Sequence, residues 1–316
     1  MVFNYQSASI GNLFLTGARL FSGSFESAIY LLAIMGGIDE SRVNTLPAII
    51  SNHSHHIAAG LTNGDVIVGQ NAISHPSEQA APSPDDRLPH LAGRSVAGKS
   101  AEEDANLPGS HPALRRQNLA FSKLVEEPLA ARIERIWYIN AYGQEMEPTV
   151  NAKVLDALSE ADAVIYSIGS LYTSIIPSLI LDGVGETIAK ADGPRFKILI
   201  LNGSLDRETG GYTACEFLDA IVRACQKDRS DQPGSMRPVD RQLWRRYVTH
   251  LIYLDGQGAP EVNRKVLTDN GVECIRLYGR FDGVLKYDHA ALVQTLTSML
   301  GKRERSEKSR RNSLLG

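Results

Sequence analysis

From residue 133 onward, short apolar runs alternate with segments whose apolar residues recur at helical spacing. This alternation constrains the fold more than any other feature of the chain. Strand-like runs at 133–139, 163–168, 197–201, 250–254 and 273–278 are separated by helical patterns. One helix carries Val154, Leu155 and Leu158, another starts near Thr173, a third bears Phe217, Leu218, Ile221, Val222 and Cys225, and a fourth spans about 259–270. A last one runs through Leu292, Leu296 and Leu300. Parallel strands need a long crossover, usually a helix, whereas antiparallel strands need only a tight turn. The alternation therefore predicts an α/β fold whose sheet is mostly parallel and covered by helices on both faces.

The first part of the chain reads differently. A helix is expected to begin at Ser9 to Gly11. A second follows, with Ala28, Leu31, Leu32 and Met35 at helical spacing, Ser24 as its N-cap and Gly36-Gly37 as its stop. Asn63-Gly64 between two β-rich runs is a hairpin signal, and we expect this hairpin as an excursion on the edge of the main fold. Residues 74–116 are dominated by Pro, Ser, Ala, Gly and charge, which predicts a disordered insertion. Residues 302–316 hold six basic and two acidic side chains before Ser313 and no apolar period, predicting a basic disordered tail. The expected organisation is one α/β domain over 1–301.

With 33 basic and 36 acidic residues the formal charge is −3, so the charge balance does not point to nucleic acid. Cys215, Cys225 and Cys274 form no C-x-x-C pair, which disfavours a disulfide framework or structural zinc and leaves reduced thiols. No secretory signature and no apolar run near the ~20 residues of a membrane span is visible. We expect a cytoplasmic protein whose partner is a small molecule rather than nucleic acid or membrane.

The chemistry concentrates at strand ends. The run 163–168 passes directly into Gly169-Ser170-Leu171-Tyr172-Thr173-Ser174-Ile175-Ile176-Pro177. Ligands of open parallel sheets bind at the strands' carboxyl ends, and this turn offers a glycine, the hydroxyls of Ser170, Thr173 and Ser174, and the amides of a new helix. These groups suit a phosphate or carboxylate; equally, Ser170 or Thr173 caps the helix while Tyr172 packs. The next strand runs into Asn202-Gly203-Ser204 and then Glu208-Thr209-Gly210-Gly211-Tyr212-Thr213. The amide of Asn202 suits a ligand. Asp206 and Glu208 either hold a cation, act as a base or belong to a solvated turn. Ser9-Ile10-Gly11-Asn12 again sets small polar residues at a helix start, as an anion site or a plain cap. His53 and His55 share one face of any strand there, but without a nearby carboxylate or cysteine a metal site is not favoured. Gly183-Val184-Gly185 lacks the third glycine of a dinucleotide fingerprint, so hydride chemistry is not supported.

Together, Ser9 to Leu13, Leu46-Pro47-Ala48, the 169–177 loop, and Asn202 followed by 208–214 resemble the CofD-like family of 2-phospho-L-lactate transferases and gluconeogenesis factors, in that family's order. In detail the chain looks most like the gluconeogenesis factor branch in a eukaryotic, fungal-like version. The resemblance implies a three-layer α/β/α fold related to Rossmann folds and a nucleotide diphosphate or nucleotide-sugar ligand. In the transferase branch it implies phospholactyl transfer from a guanosine diphosphate-linked donor to a deazaflavin alcohol with Mg²⁺. In the other it implies a nucleotide-sugar-binding regulator of carbon flow or envelope synthesis. Carried over residue by residue, it makes Asn12, Gly169, Ser170, Tyr172, Thr173 and Asn202 ligand contacts. Ser9, Gly11, Leu171, Ser174, Glu208 and Thr209 complete the candidate set, and no catalytic residue or metal ligand is assigned. Family members open with a strand, a glycine-rich loop and an aspartate- and glycine-rich motif, which we expect to be missing here. Sheet edges left open by that loss would favour pairing into a homo-oligomer.

Overall fold

Two serines start the two N-terminal helices. In this computed structural model Ser9 Oγ accepts from the Asn12 amide and opens α1 (Ile10–Ser22), and Ser24 Oγ accepts from Ser27 and opens α2 (Phe25–Met35). The structure describes residues 9–51, 53, 55–74, 111–115, 128–227, 238–283 and 285–313. It falls into two compact units, Met1–Thr149 and Val150–Gly316, where the sequence suggested one domain.

In the first unit α1 and α2 pack on each other. They bury Ala28 but leave Ile10, Leu20, Phe21 and Met35 exposed. Next come β1 (His56–Leu61), β2 (Val66–Val68), α3 (Gln70–Ser74), α4 (Pro112–Arg115), β3 (Ile133–Ile139) and β4 (Glu145–Met146). The Asn63-Gly64 turn is present, with Gly64 at φ 89 and the Asn63 side chain accepting from the Asp65 amide. The hairpin extends a sheet of order β2-β1-β3-β4, antiparallel throughout. Strand 133–139, which the sequence placed first in the parallel sheet, therefore pairs antiparallel with β1 instead. The turn that follows makes its other neighbour, β4, antiparallel as well: the Asn140 side chain accepts from the amides of Tyr142 and Gln144, and Gly143 adopts φ 83. The chain folds back on itself without a crossover. Most of the expected insertion at 74–116 lies outside the described residues.

The second unit carries the parallel sheet. It contains α5 (Ala152–Glu160), β5 (Ala163–Tyr166), α6 (Ile176–Leu179), α7 (Val184–Ala189), β6 (Phe196–Ile200), α8 (Ala214–Gln226), α9 (Trp244–Tyr247), β7 (His250–Leu254), α10 (Arg264–Asp269), β8 (Glu273–Leu277), the hairpin β9 (Gly279–Phe281) and β10 (Leu285–Tyr287), and α11 (His289–Ser313). The order is β5-β6-β7-β8, all parallel. Each crossover steps to the next neighbour in the same direction. Because such crossovers are right-handed, their helices collect on one face, where α6, α7, α8 and α9 pack on one another. The opposite face needs another cover, and α11 supplies it. Ile198, Ile200 and Ile252 pack there with Leu292, Leu296 and Met299. Leu199, Leu251 and Tyr253, which point the other way, are buried as well. The result is the three-layer α/β/α arrangement. The backbone of α11 continues to Ser313, into the segment read from sequence as a disordered tail.

One contact sets the helical layer's spacing. Gly185 in α7 faces the last turn of α8 so closely that a Cβ there would collide with the backbone carbonyl of Cys225. Gly185→Ala is expected to destabilise the protein by about 3 kcal/mol, since neither backbone can yield cheaply. Gly210→Ala, where a Cβ meets open space, is expected to change stability by less than about 1 kcal/mol. Urea unfolding of both variants measures this, and equal midpoints would refute the close approach.

Candidate functional site

The loop after β5 is a wide turn. β5 stops at Tyr166, whose hydroxyl donates to the Tyr247 carbonyl at 2.9 Å and pins the strand's end to α9. Residues 171–175 then coil loosely, the Ile175 amide reaching back to the Ser170 carbonyl at 3.2 Å and the Ile176 amide to that of Leu171. Pro177 continues this turn into α6. Leu171, Tyr172 and Thr173 are buried, Gly169 and Ser170 half-buried and Ser174 exposed. A Cβ on Gly169 would stand 2.8 Å from that of Ser174, so the turn closes on its own start.

The second loop reaches across to the first. Beyond β6, Leu201 is buried and Asn202 and Gly203 are half-buried. Asp206 caps a short turn, its Oδ1 accepting from the amides of Glu208 and Thr209, both at 3.1 Å, and from Thr209 Oγ1 at 2.7 Å. That turn aims Glu208 inward. At 2% exposure its carboxylate accepts from the Tyr172 amide (2.8 Å), the Thr173 amide (3.1 Å) and Thr173 Oγ1 (2.5 Å). Beside it the hydroxyls of Tyr172 and Tyr212 share a hydrogen bond of 3.0 Å, and their rings meet edge to face. Burial, then the Tyr212 hydroxyl, holds the Tyr172 phenol well above its ordinary value, so it stays protonated. Thr213 and Glu216 form a reciprocal cap at the start of α8.

The protein's own carboxylate thus occupies two of the amides that the sequence reading offered to a ligand anion. Leu171, Tyr172, Thr173, Glu208 and Thr209 form the buried joint between the loops. Gly169, Ser170, Ser174 and Asn202 form their outer rim. Ser170 makes no side-chain cap, and among the described residues no hydrogen bond uses the side chains of Ser174 or Asn202. In the first unit Ser9 is a helix cap, with Asn12 exposed and Gly11 half-buried. His55 turns Nδ1 toward the His53 carbonyl, just ahead of β1. Among the described residues no group of three His, Cys, Asp or Glu side chains is placed to hold a metal ion. Sequence reasoning missed Tyr212 as a partner of Tyr172. The only hint was an aromatic residue in an otherwise polar, glycine-rich loop.

Residues 3–276 match the family model described as 2-phospho-L-lactate transferase CofD. An uncharacterized protein of Saccharomyces cerevisiae is 36% identical over 292 residues, covering 86% of this chain and 65% of that protein. A putative gluconeogenesis factor of Nostoc is 26% identical over 159 residues, 49% of this chain and 34% of its own length. The gluconeogenesis factor of Bacillus subtilis is 40% identical over 106 residues, 28% and 33% of the two chains. The chain therefore spans less than two thirds of the length of these curated relatives. A crystal structure of a UPF0052 family member from Bacillus halodurans superposes with a TM-score of 0.57 at 20% identity, covering 91% of this chain and 71% of that one. It shares the fold.

Glu208→Gln is expected to cost about 2 kcal/mol or more, because an amide in that pocket turns one donor against the donors of Tyr172 and Thr173. Thr173→Val, which removes the hydroxyl's bond to Glu208, is expected to cost about 1 kcal/mol. Denaturant unfolding ranks the two, and a neutral Glu208→Gln would show that the carboxylate does not hold the loops.

Proposed function

Because the chain belongs to the 2-phospho-L-lactate transferase CofD family, we propose that the rim formed by the loops after β5 and β6 binds the diphosphate of a nucleotide-linked ligand, as the donor-binding half of a substituted-phosphate group transfer. One observation carries this reading. The uncommitted polar groups of Ser170, Ser174 and Asn202 sit at the carboxyl ends of neighbouring parallel strands, on loops that the buried Glu208 fixes to each other. The hydroxyls of Ser170 and Ser174 and the amide of Asn202 donate to phosphate oxygens. A phosphate oxygen is a charged acceptor, so each such bond is worth about 1.5–3 kcal/mol. Mg²⁺ enters with the diphosphate on this reading, since that ion commonly keeps its waters and binds through substrate phosphates.

A second reading has its own support. The Nostoc and Bacillus subtilis relatives are named as gluconeogenesis factors, and Glu208 is committed to the joint, so it is not available as a base. The same rim then holds a nucleotide sugar without consuming it, in a protein that regulates carbon metabolism.

Calorimetric titration of guanosine and uridine diphosphates with Mg²⁺, into the chain and into a Ser170→Ala, Asn202→Ala double variant, tests the site. Affinity is expected to fall by a factor of about a hundred or more, on the order of two charge-assisted hydrogen bonds, with the unfolding midpoint preserved. Undiminished binding by the double variant would sink the proposal. Guanosine monophosphate released from a guanosine diphosphate-linked donor supports transfer. Saturable binding of a uridine diphosphate sugar without turnover supports the regulator.

A further inference from the structure

The hairpin of β9 and β10 stands on the same strand ends as the proposed ligand rim. The Leu285 carbonyl lies where a Cβ on Gly203 would be, and a Cβ on Gly256 would come within 2.9 Å of Leu285 Cδ2. The Tyr287 hydroxyl donates to the Leu201 carbonyl at 2.6 Å, with that of Ile252 at 3.1 Å. Leu201 immediately precedes Asn202, so the clasp and the rim belong to one stretch of chain.

Register decides which way the hairpin faces. Phe281 pairs with Leu285, Arg280 with Lys286 and Gly279 with Tyr287. Directly opposed residues of an antiparallel pair share a face. Phe281 is therefore on the face that carries Leu285 and Tyr287 onto the strand ends, yet its ring is 69% exposed while theirs are half-buried. Tyr278, just before β9, is engaged elsewhere: the Arg276 guanidinium lies 5.4 Å from its ring centre and is tied to Asp255 at 3.1 Å. Among the described residues no ring or cation stacks on Phe281.

We propose that Phe281 is the platform on which the heteroaromatic base of the nucleotide-linked ligand stacks while its diphosphate rests on Ser170 and Asn202. The inference depends on the reading of the rim given above and extends it to the other end of the ligand. Every base has a π face, so Phe281 supplies affinity without choosing between guanine and uracil.

The experiment titrates guanosine diphosphate, uridine diphosphate and inorganic pyrophosphate, each with Mg²⁺, into the full chain and its Phe281→Ala, Phe281→Leu and Phe281→Tyr variants. Loss of the ring is expected to weaken both nucleotides roughly ten-fold in the Ala and Leu variants, as for other base–aromatic stacks. The Tyr variant should stay near wild type, and pyrophosphate affinity should be unchanged throughout. Nucleotide affinity unaffected by Phe281→Ala and Phe281→Leu, or pyrophosphate affinity falling in parallel, overturns the platform and leaves the rim standing. Failure of the folded wild type to bind any of the three probes overturns the rim and the platform with it.

Discussion

A buried carboxylate joined to two backbone amides and a hydroxyl, Glu208 on Tyr172 and Thr173, is the interaction on which the rest of the second unit's upper edge depends. A chain leaving a strand for a helical turn exposes amides with nothing to bond, and such amides attract an anion. Here the anion comes from the loop of the neighbouring strand. Taking a carboxylate out of water is costly, and only a full set of donors offsets it. Asp206 makes the geometry reachable by capping the turn that points Glu208 inward. The two loops consequently hold one arrangement before any ligand arrives, and a preordered site loses less freedom on binding.

The sheet's strand order explains why this joint forms between adjacent loops. With β5, β6, β7 and β8 laid down in sequence, every strand-end loop lies beside the next one along the chain. The same order crowds the crossover helices onto one face, which is why α7 and α8 approach closely enough to require Gly185. It also leaves the other face bare until α11 covers it. The short hairpin between β8 and α11 is thus carried back over the strand ends, where Gly203 and Gly256 have no side chains to obstruct Leu285.

Much of this was legible in the residues. The runs at 163–168, 197–201, 250–254 and 273–278 supply the strands of one parallel sheet; the continuous apolar pattern belongs to β6 and β7, which are buried along almost their whole length, while β5 and β8 at the edges are partly exposed. Ser9 and Ser24 as caps, and Asn63-Gly64 as a turn, are local signals that act locally. Strand 133–139 was misplaced because its apolar run resembles the others. Its pairing with β1 joins residues far apart in the chain, and the Asn140 and Gly143 turn that follows accounts only for its pairing with β4. At the site, the loops could be located but their inner and outer faces could not. Whether Glu208 faces solvent or the Tyr172 amide is settled by packing between residues 36 positions apart, and hydroxyl-rich sequence reads the same in both cases. Phe281 carried no signal at all, since its meaning comes from its cross-strand register with Leu285.

The joint also bears on what the rim can hold. Glu208 is a negative charge already seated at the turn, and a ligand phosphate brought close to it is repelled unless distance or compensation intervenes. Compensation exists on the inner side, where two amides and a hydroxyl face the carboxylate. On the outer side Ser170, Ser174 and Asn202 are neutral donors, which in the proposed site would fix phosphate oxygens in position without cancelling their charge. A rim of this composition favours an anion whose charge is spread over several oxygens and partly met by a cation travelling with it, over a bare monophosphate. A diphosphate ester carrying Mg²⁺ has that chemistry, and its uncharged base is the part best suited to an aromatic platform such as Phe281.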